Sequence, residues 1–387
     1  MSTFDGIVTE IPYIRVDRFD NYDENTKIFF LSHCHSDHTE GLRDEFFEML
    51  KVKNLHLYTS PISIRILKNK YPKVGRELKQ LTVGETSLIE AAYMDKTVHL
   101  TVNAIPAGHC PGSIMFLFET KRIKTLCTGD YRIDNQGEFT SKYFKDVGCI
   151  DTVYLDTTFC KREYPHFPSR KETLTGLCNV IQRWLDSDKK NVIKLDIPAI
   201  YGSEFLFKGI FKETGYKIHV NNNRYLLHKF IPDMDEIVDV NDHMQKLRIH
   251  VCGRTFCRNL PHDNICEIKI TATVWEHYEP GSSPVQHITE NFYRVCASYH
   301  PSYTEICDFI GYLKPKRIVP CVEPKDQDEK EELLQLLREM LNRRCDSKRN
   351  RQEFFIDATK MLKTNSTDKQ ISHFDKLLSS PPRNLRE

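Results

Sequence analysis

The sequence has no long apolar run. None of its stretches approaches the ~20 consecutive apolar residues that a membrane-spanning helix needs. Hydrophobic residues make up 40% of the 387 residues and charged residues 28%, which is typical of a globular protein. The first residues show neither the basic nor the apolar segment of a secretory signal. We therefore expect no membrane partner and a location inside the cell.

The sequence also lacks an excess of charge of one sign. Its 55 Lys and Arg residues against 54 Asp and Glu residues give a net charge of +1. This balance does not predict a nucleic-acid binder, although local basic clusters can still attract phosphate. One cluster lies in residues 60–80, a partly helical stretch, and forms either a solvent-exposed face or a DNA-facing surface.

The cysteines lack a disulfide pattern. There are thirteen, an odd number, in a chain much longer than the small secreted domains that disulfides hold together. We interpret them as reduced thiols, some of which are candidate metal ligands.

The strongest pattern is the hexamer His33-Cys34-His35-Ser36-Asp37-His38. It follows the apolar run 28–31, which predicts a buried strand with the hexamer in the loop at its end. Imidazole nitrogens and a carboxylate in this density are typical of a two-metal cluster. The alternative is a surface loop that is rich in histidine by chance.

Three other strand-like segments end in a residue of the same kind, at His109, Asp130 and Asp156, and His300 follows a fourth. We expect these loops to meet the hexamer. In the simplest arrangement, one zinc has the ligands His33, His35 and His109, the second has Asp37, His38 and His300, and Asp130 bridges the two ions. Asp17 and Asp156 then orient imidazoles or a water molecule; for Asp17, an ordinary turn residue is the alternative.

The chain length predicts about two domains. The segments 11–16, 27–32, 55–59, 97–105, 113–120 and 123–128 predict an antiparallel sheet. From residue 169 onward, helical and strand-like patterns alternate as in α/β proteins. We predict a first domain at 1–156 that resumes at 298–357, an inserted domain at 157–297, and a disordered tail at 358–387.

The residues Asp17, His33, His35, Asp37, His38, His109, Asp130, Asp156 and His300 match those of the metallo-β-lactamase-fold nucleases with an inserted β-CASP domain, in order and spacing. The chain resembles this family over about residues 1–350. The resemblance implies an αββα sandwich with an α/β insertion, and a zinc-dependent DNA endonuclease whose second ion is Zn²⁺, Mg²⁺ or Mn²⁺. It further implies a nuclear monomer that cuts DNA hairpins, overhangs and strand junctions in non-homologous end joining, together with a kinase and a ligase.

The resemblance also implies a structural zinc in the insertion. Its ligands would be His219, His250, Cys252 and Cys266, and Cys257 competes with Cys266 for the fourth position. Two thiolates and two imidazoles leave no open position, so such an ion contributes to folding.

Related exonucleases hold a terminal 5′-phosphate with Ser and Lys residues near a position where this chain has Asp196 and Pro198. Ser36 likewise stands where the end-joining nucleases have a lysine, and Ser298 is a candidate substrate contact. A weak grip on end phosphates favours endonucleolytic cutting. RNA-processing members have a histidine where this chain has Ile318 or Val319, which favours DNA. The alternatives are a 5′ exonuclease of crosslink or telomere repair and a catalytically silent repair scaffold.

Overall fold

The structure, a computed structural model, describes residues 2–20, 22–241, 246–253 and 262–342. The strands in these residues are β1 (Ile14–Val16), β2 (Ile28–Phe30), β3 (His56–Thr59), β4 (Leu78–Gln80), β5 (Thr86–Tyr93), β6 (Lys96–Pro106), β7 (Ile114–Glu119), β8 (Lys124–Cys127), β9 (Thr152–Leu155), β10 (Val192–Asp196), β11 (Ile218–Val220), β12 (Val238–Asp239), β13 (Ile249–Val251), β14 (Ile265–Thr271), β15 (Val285–Thr289), β16 (Phe292–Cys296) and β17 (Arg317–Pro320). The α-helices are α1 (Asp44–Val52), α2 (Pro61–Lys70), α3 (Gln136–Phe144), α4 (Arg170–Ser187), α5 (Glu204–Thr214), α6 (Asn222–His228), α7 (Met234–Ile237), α8 (Tyr303–Leu313) and α9 (Gln327–Asn342). Within the described ranges, no helix is long and apolar enough to span a bilayer.

Two sheets pack face to face. The first has the order β1-β2-β3-β4, and the second has the order β17-β9-β8-β7-β6-β5. Phe30 of the first sheet shares a core with Leu100, Val102 and Phe116 of the second. The alternation of apolar residues that predicted one buried face for residues 98–104 is thus confirmed, because Leu100 and Val102 are fully buried there.

The predicted antiparallel pairing is confirmed for β6 to β8 and wrong for the first three strands. β1 pairs with β2, and β2 with β3, in parallel. Phe30 of β2 faces the second sheet, whereas Phe29 packs against α1. Burial on both faces is typical of parallel strands, which read as near-continuous apolar runs such as residues 28–31.

Helices cover both outer faces of this pair of sheets. Phe46 of α1 and Leu67 of α2 pack on the β1–β4 sheet. Phe309 of α8 and Leu336 of α9 pack on the other sheet, so the order of layers is the predicted αββα sandwich. The spacing of the leucines at 333, 334, 337 and 341 predicts one apolar stripe on α9. Leu333 and Leu337 are buried as predicted, but Leu334 and Leu341 are half-buried, and Leu336 and Met340 are buried in their place.

A third sheet, with the order β12-β11-β13-β10-β14-β16-β15, lies wholly within residues 192–296. All its strands are parallel except β15 at one edge. Strands β9 and β17, which flank these residues in sequence, are direct neighbours in the sandwich. The chain therefore leaves the sandwich after β9, builds a separate sheet and returns with α8 and β17. The domain boundaries at 156 and 297 stay predictions, and the predicted tail at 358–387 lies outside the described residues.

Candidate metal centre

The candidate metal centre lies where several strands end. His33 follows β2, His109 follows β6 and Asp130 follows β8. Gly129 allows the last of these turns, because its φ is +52° and a Cβ there would lie 2.7 Å from the Ser32 hydroxyl oxygen. His300 arrives from the third sheet, after β16. The predicted convergence of distant loops therefore includes a residue that follows the insertion.

Two of the histidines direct one ring nitrogen at a backbone carbonyl. His35 Nε2 lies 2.8 Å from the Tyr201 carbonyl oxygen, and His109 Nδ1 lies 2.8 Å from that of Tyr299. A carbonyl only accepts, so these nitrogens carry the protons. In the neutral rings, His35 Nδ1 and His109 Nε2 are consequently left with lone pairs.

The ring of His33 is oriented in the same way. The Ser32 hydroxyl lies 2.6 Å from the Asp17 carboxylate and donates to it, so it accepts from His33 Nδ1 at 2.9 Å. His33 Nε2 and His109 Nε2 then lie 3.1 Å and 3.0 Å from His35 Nδ1. Three lone pairs that face one another at these distances repel unless a cation lies between them. Their geometry fits a bound metal ion.

Two further groups share Asp130, which lies with His33 and His38 in one and with His109 and His300 in the other. We call His38, Asp130 and His300 together the second set. His38 Nδ1 lies 3.0 Å from an Asp17 oxygen, and His300 Nδ1 lies 2.8 Å from an Asp156 oxygen. The other nitrogen of His38 is buried without a hydrogen-bond partner, 3.2 Å from Asp130. Asp130 lies near the ligand atoms of both sets. Asp17 and Asp156 therefore contact the outer nitrogens of imidazoles, and Asp130 lies between the two sets.

The protonation tendencies of the two sets differ. Burial lowers the pKa of His33, His35 and His109, which favours the neutral rings that bind metals. Burial also disfavours charge on His38 and His300, but the surrounding aspartates outweigh it. They raise the pKa of His38 well above its usual value and that of His300 to about 9. Protons and a metal cation therefore compete for the imidazoles of His38 and His300.

Comparison with known proteins gives one family model and three similar proteins. Residues 240–326 match the family model "DNA repair metallo-beta-lactamase". The chain is 34% identical to "Protein artemis" of Gallus gallus over 365 residues, which cover 87% of this chain and 50% of that protein. The artemis protein of Homo sapiens is 34% identical over 350 residues, covering 84% and 50%. The "5' exonuclease Apollo" of Gallus gallus is 26% identical over 303 residues, covering 77% and 59%.

The chain is thus similar to artemis proteins over most of its length, and part of it matches the DNA repair metallo-beta-lactamase family model. It spans about half the length of the artemis proteins that it matches. A solved structure titled "Crystal Structure of a Protein of Unknown Function from Enterococcus faecalis V583" has a TM-score of 0.51 and 15% identity, covering 78% of this chain and 77% of that one. This likeness shows a shared fold.

Two predicted site residues lie differently from expectation. Asp37 belongs to neither convergent set that the described residues form, and its carboxylate accepts a hydrogen bond from the Ser2 backbone N–H at 2.9 Å. Ser298 is 2% exposed, and its hydroxyl bonds the backbone N–H and carbonyl of His300. The hydroxyl thus shapes the turn that carries His300, and a substrate contact at Ser298 stays a prediction.

The second predicted site is present in part. His219 Nδ1 and His250 Nδ1 lie 3.0 Å and 3.7 Å from the Cys252 sulfur. Their Nε2 atoms face the carbonyls of Val240 and Leu247 at 3.2 Å and 2.9 Å. The Nδ1 atoms therefore face the Cys252 sulfur, an arrangement that fits a metal ion bound beside a thiolate.

The prediction of Cys266 as a ligand of this site is wrong. Cys266 on β14 is in register with Ile193 on β10, which is in register with Ile249 on β13. Side chains in register lie on one face of a sheet and the next residues on the other. His250 follows Ile249, so Cys266 lies on the opposite face and two strands away, in the apolar core. Cys257, the competing candidate, lies outside the described residues.

Four residues of the centre had no sequence signal that we used. Tyr201 and Tyr299 act through backbone carbonyls, which any residue possesses. Arg132 is 2% exposed and donates to the Ser298 carbonyl at 2.8 Å, so it holds the loop of His300. The Ser32 hydroxyl was detectable, because it directly precedes the hexamer at the end of a buried strand.

Proposed function

We propose that the chain is a zinc-dependent DNA endonuclease that hydrolyses phosphodiesters at hairpins, overhangs and junctions of single and double strands. The observation that carries this proposal is the convergence of five imidazoles and Asp130, each imidazole oriented by an acceptor on its outer nitrogen. A binding scaffold has no need of ligand atoms oriented in this way.

The proposed ligands fall into two groups, one for each ion. His33, His35 and His109 would hold one ion, His38 and His300 the other, and Asp130 would contact both. Ions held there would act as Lewis acids on the scissile phosphate and lower the pKa of a water molecule. Asp17 and Asp156 keep the outer protons of His38 and His300 in place, and the ordered imidazoles avoid reorganisation during the reaction.

Endonuclease and exonuclease activities differ in whether the protein must bind the end of the DNA strand. β10 ends at Asp196, and Pro198 follows in the loop that leads to Tyr201 beside His35. A carboxylate and a proline offer no donor to a terminal 5′-phosphate, which favours internal cutting. The 26% identity to a protein named 5' exonuclease favours the second candidate, an end-dependent 5′ exonuclease.

We further propose residues 157–297 as the inserted β-CASP domain, a monomeric state, a nuclear location and a role in end joining with its kinase and ligase. Support comes from the likeness to artemis proteins and from the sheet that residues 192–296 build.

The test is digestion of three labelled DNAs by the purified protein: a hairpin, a duplex with a 3′ overhang, and a 5′-phosphorylated single strand. Endonuclease activity predicts single cuts near the hairpin tip and at the overhang junction, whether or not the 5′ end carries phosphate. Stepwise loss of nucleotides from the phosphorylated end alone would favour the exonuclease. The Asp130→Asn variant, which should be inactive on all three, controls for contaminating nucleases.

A further inference from the structure

The loop 197–203 connects the third sheet to the candidate metal centre. It begins after β10 and ends where α5 starts at Glu204. Its Tyr201 carbonyl accepts the hydrogen bond that His35 Nε2 donates, at 2.8 Å. The orientation of a proposed metal ligand in the sandwich therefore depends on backbone that the insertion supplies.

Buried charges hold this loop in place. The Glu204 carboxylate, 1% exposed, accepts the Gly202 N–H, with oxygen distances of 2.9 Å and 3.2 Å. Arg224 on α6 is 4% exposed and donates to the Ile200 carbonyl at 3.0 Å. Both backbone contacts are next to Tyr201, one on each side. The carbonyl that faces His35 thus has little freedom to move.

The carboxylate of Glu204 is buried at a cost in free energy. Its side chain lies at the apolar core of α5, and its nearest cationic candidate is His228 Nε2 at 3.3 Å, which is fully buried. A buried carboxylate costs free energy unless hydrogen bonds and charges compensate it. An acidic residue at the start of an exposed helix would interact as favourably with the helix dipole without this desolvation cost. The position of Glu204 calls for a role beyond the helix.

We propose that Glu204 and Arg224 are positioning residues, which hold the Tyr201 carbonyl against His35 and so make metal binding by His33, His35 and His109 depend on the inserted domain. The inference rests on the metal binding in the proposed function but not on nuclease activity. Without Glu204, the loop loses the acceptor for Gly202, the Tyr201 carbonyl moves, and His35 is free to rotate. Groups that orient metal-binding histidines typically contribute about 10–100-fold to metal affinity.

The test measures binding of Zn²⁺ to the chelator-treated full chain by competition with a chromophoric chelator, and the visible spectrum of the Co²⁺-loaded protein. Glu204→Ala should weaken one binding event by about 10–100-fold and change the Co²⁺ bands of the histidine-bound ion. Glu204→Gln keeps one acceptor oxygen for Gly202 and should lose less. The thiolate charge-transfer band from the Cys252 site should stay unchanged in both variants.

Arg248→Ala is the matched control. Arg248 directly precedes β13 of the same sheet. It donates to the Leu185 and Asn191 carbonyls at 2.6 Å and 2.9 Å. Its loss should lower the melting temperature and leave the affinity at the catalytic centre intact. If Glu204→Ala fails to fold, Glu204→Gln and Arg224→Lys carry the test. Wild-type affinity and Co²⁺ spectrum in the Glu204 variants would overturn the proposal. Reduced affinity in the Glu204 variants beside a wild-type protein that cuts no DNA would instead contradict the proposed function alone.

Discussion

At the residue scale, each imidazole of the metal centre has one nitrogen engaged from outside. His38 and His300 face carboxylates, His35 and His109 face carbonyls, and His33 faces a hydroxyl. These contacts fix which nitrogen carries the proton, so the inner nitrogens are ready to bind. The aspartates at positions 17 and 156 act on the centre without touching the proposed ions.

Asp17→Asn tests this orienting role. The amide keeps the size of the carboxylate but removes its charge, so the Nδ1 proton of His38 is held less strongly. We expect about 10–100-fold weaker binding of one metal ion, measured by calorimetric titration of the chelator-treated protein. Asp20→Asn, which removes a surface ion-pair partner of Arg18, is the control and should bind as wild type. Unchanged affinity in Asp17→Asn would contradict the role.

Cys252→Ser and Cys266→Ser form a matched pair for the second site. Cys252 lies against His219 and His250, whereas Cys266 lies in the core on the other face of the sheet. We expect Cys252→Ser to lose one equivalent of zinc and to melt at a lower temperature, because a structural metal contributes folding free energy. Cys266→Ser should keep that zinc. The reverse result, by elemental analysis of the purified proteins, would show that our register argument is wrong.

The sequence located the histidines and carboxylates of the centre because their residue types are rare in such density. It could not locate the Tyr201 and Tyr299 carbonyls, since a backbone acceptor has no residue type. The error at Cys266 has a related origin: the face of a strand depends on register with strands far away in sequence, and spacing alone does not provide that register.

At the element scale, the site is made by loops and the scaffold by buried faces. Each of β2, β6, β8 and β9 ends in a loop that carries a metal-facing or orienting residue. α8 begins directly after the His300 loop with a capping box, in which Ser302 and Glu305 bond each other's backbone N–H groups. The return from the insertion is therefore fixed at a helix start.

The phase of α9 gives a stability prediction. Leu336 is 2% exposed in the core beneath α8, whereas Leu334 is half-buried. Leu336→Ala should lower the free energy of unfolding by about 2–5 kcal/mol, because it leaves a cavity. Leu334→Ala should cost clearly less, as measured by urea unfolding followed by circular dichroism. Equal losses would favour the stripe that the sequence predicted.

The sequence predicts helices over residues 204–214 and 326–343, which agree with α5 and α9 to within one residue because amphipathic periodicity is a local property. The pairing of β1, β2 and β3 was wrong because it depends on which helices cover the sheet, and no local pattern encodes that.

At the scale of the whole molecule, a sandwich supplies most of the metal-binding atoms and an inserted sheet supplies the loop that orients one of them. Tyr201 precedes α5 of the insertion, and His300 follows its last strand in sequence. The insertion is thus part of the centre's construction, in addition to any part it has in binding a polymer.

The central claim is that His33, His35 and His109, together with the set around Asp130, hold the ions that cut DNA. The most direct measurement compares wild type with His109→Ala for both Zn²⁺ binding and cleavage of a labelled hairpin. His99→Ala is the control, because His99 lies on β6, the strand that His109 follows, and is half exposed beside Glu90. We predict that His109→Ala loses one high-affinity ion and all cleavage while His99→Ala keeps both. Cleavage that persists in His109→Ala, or in chelator-treated wild type, would contradict the account.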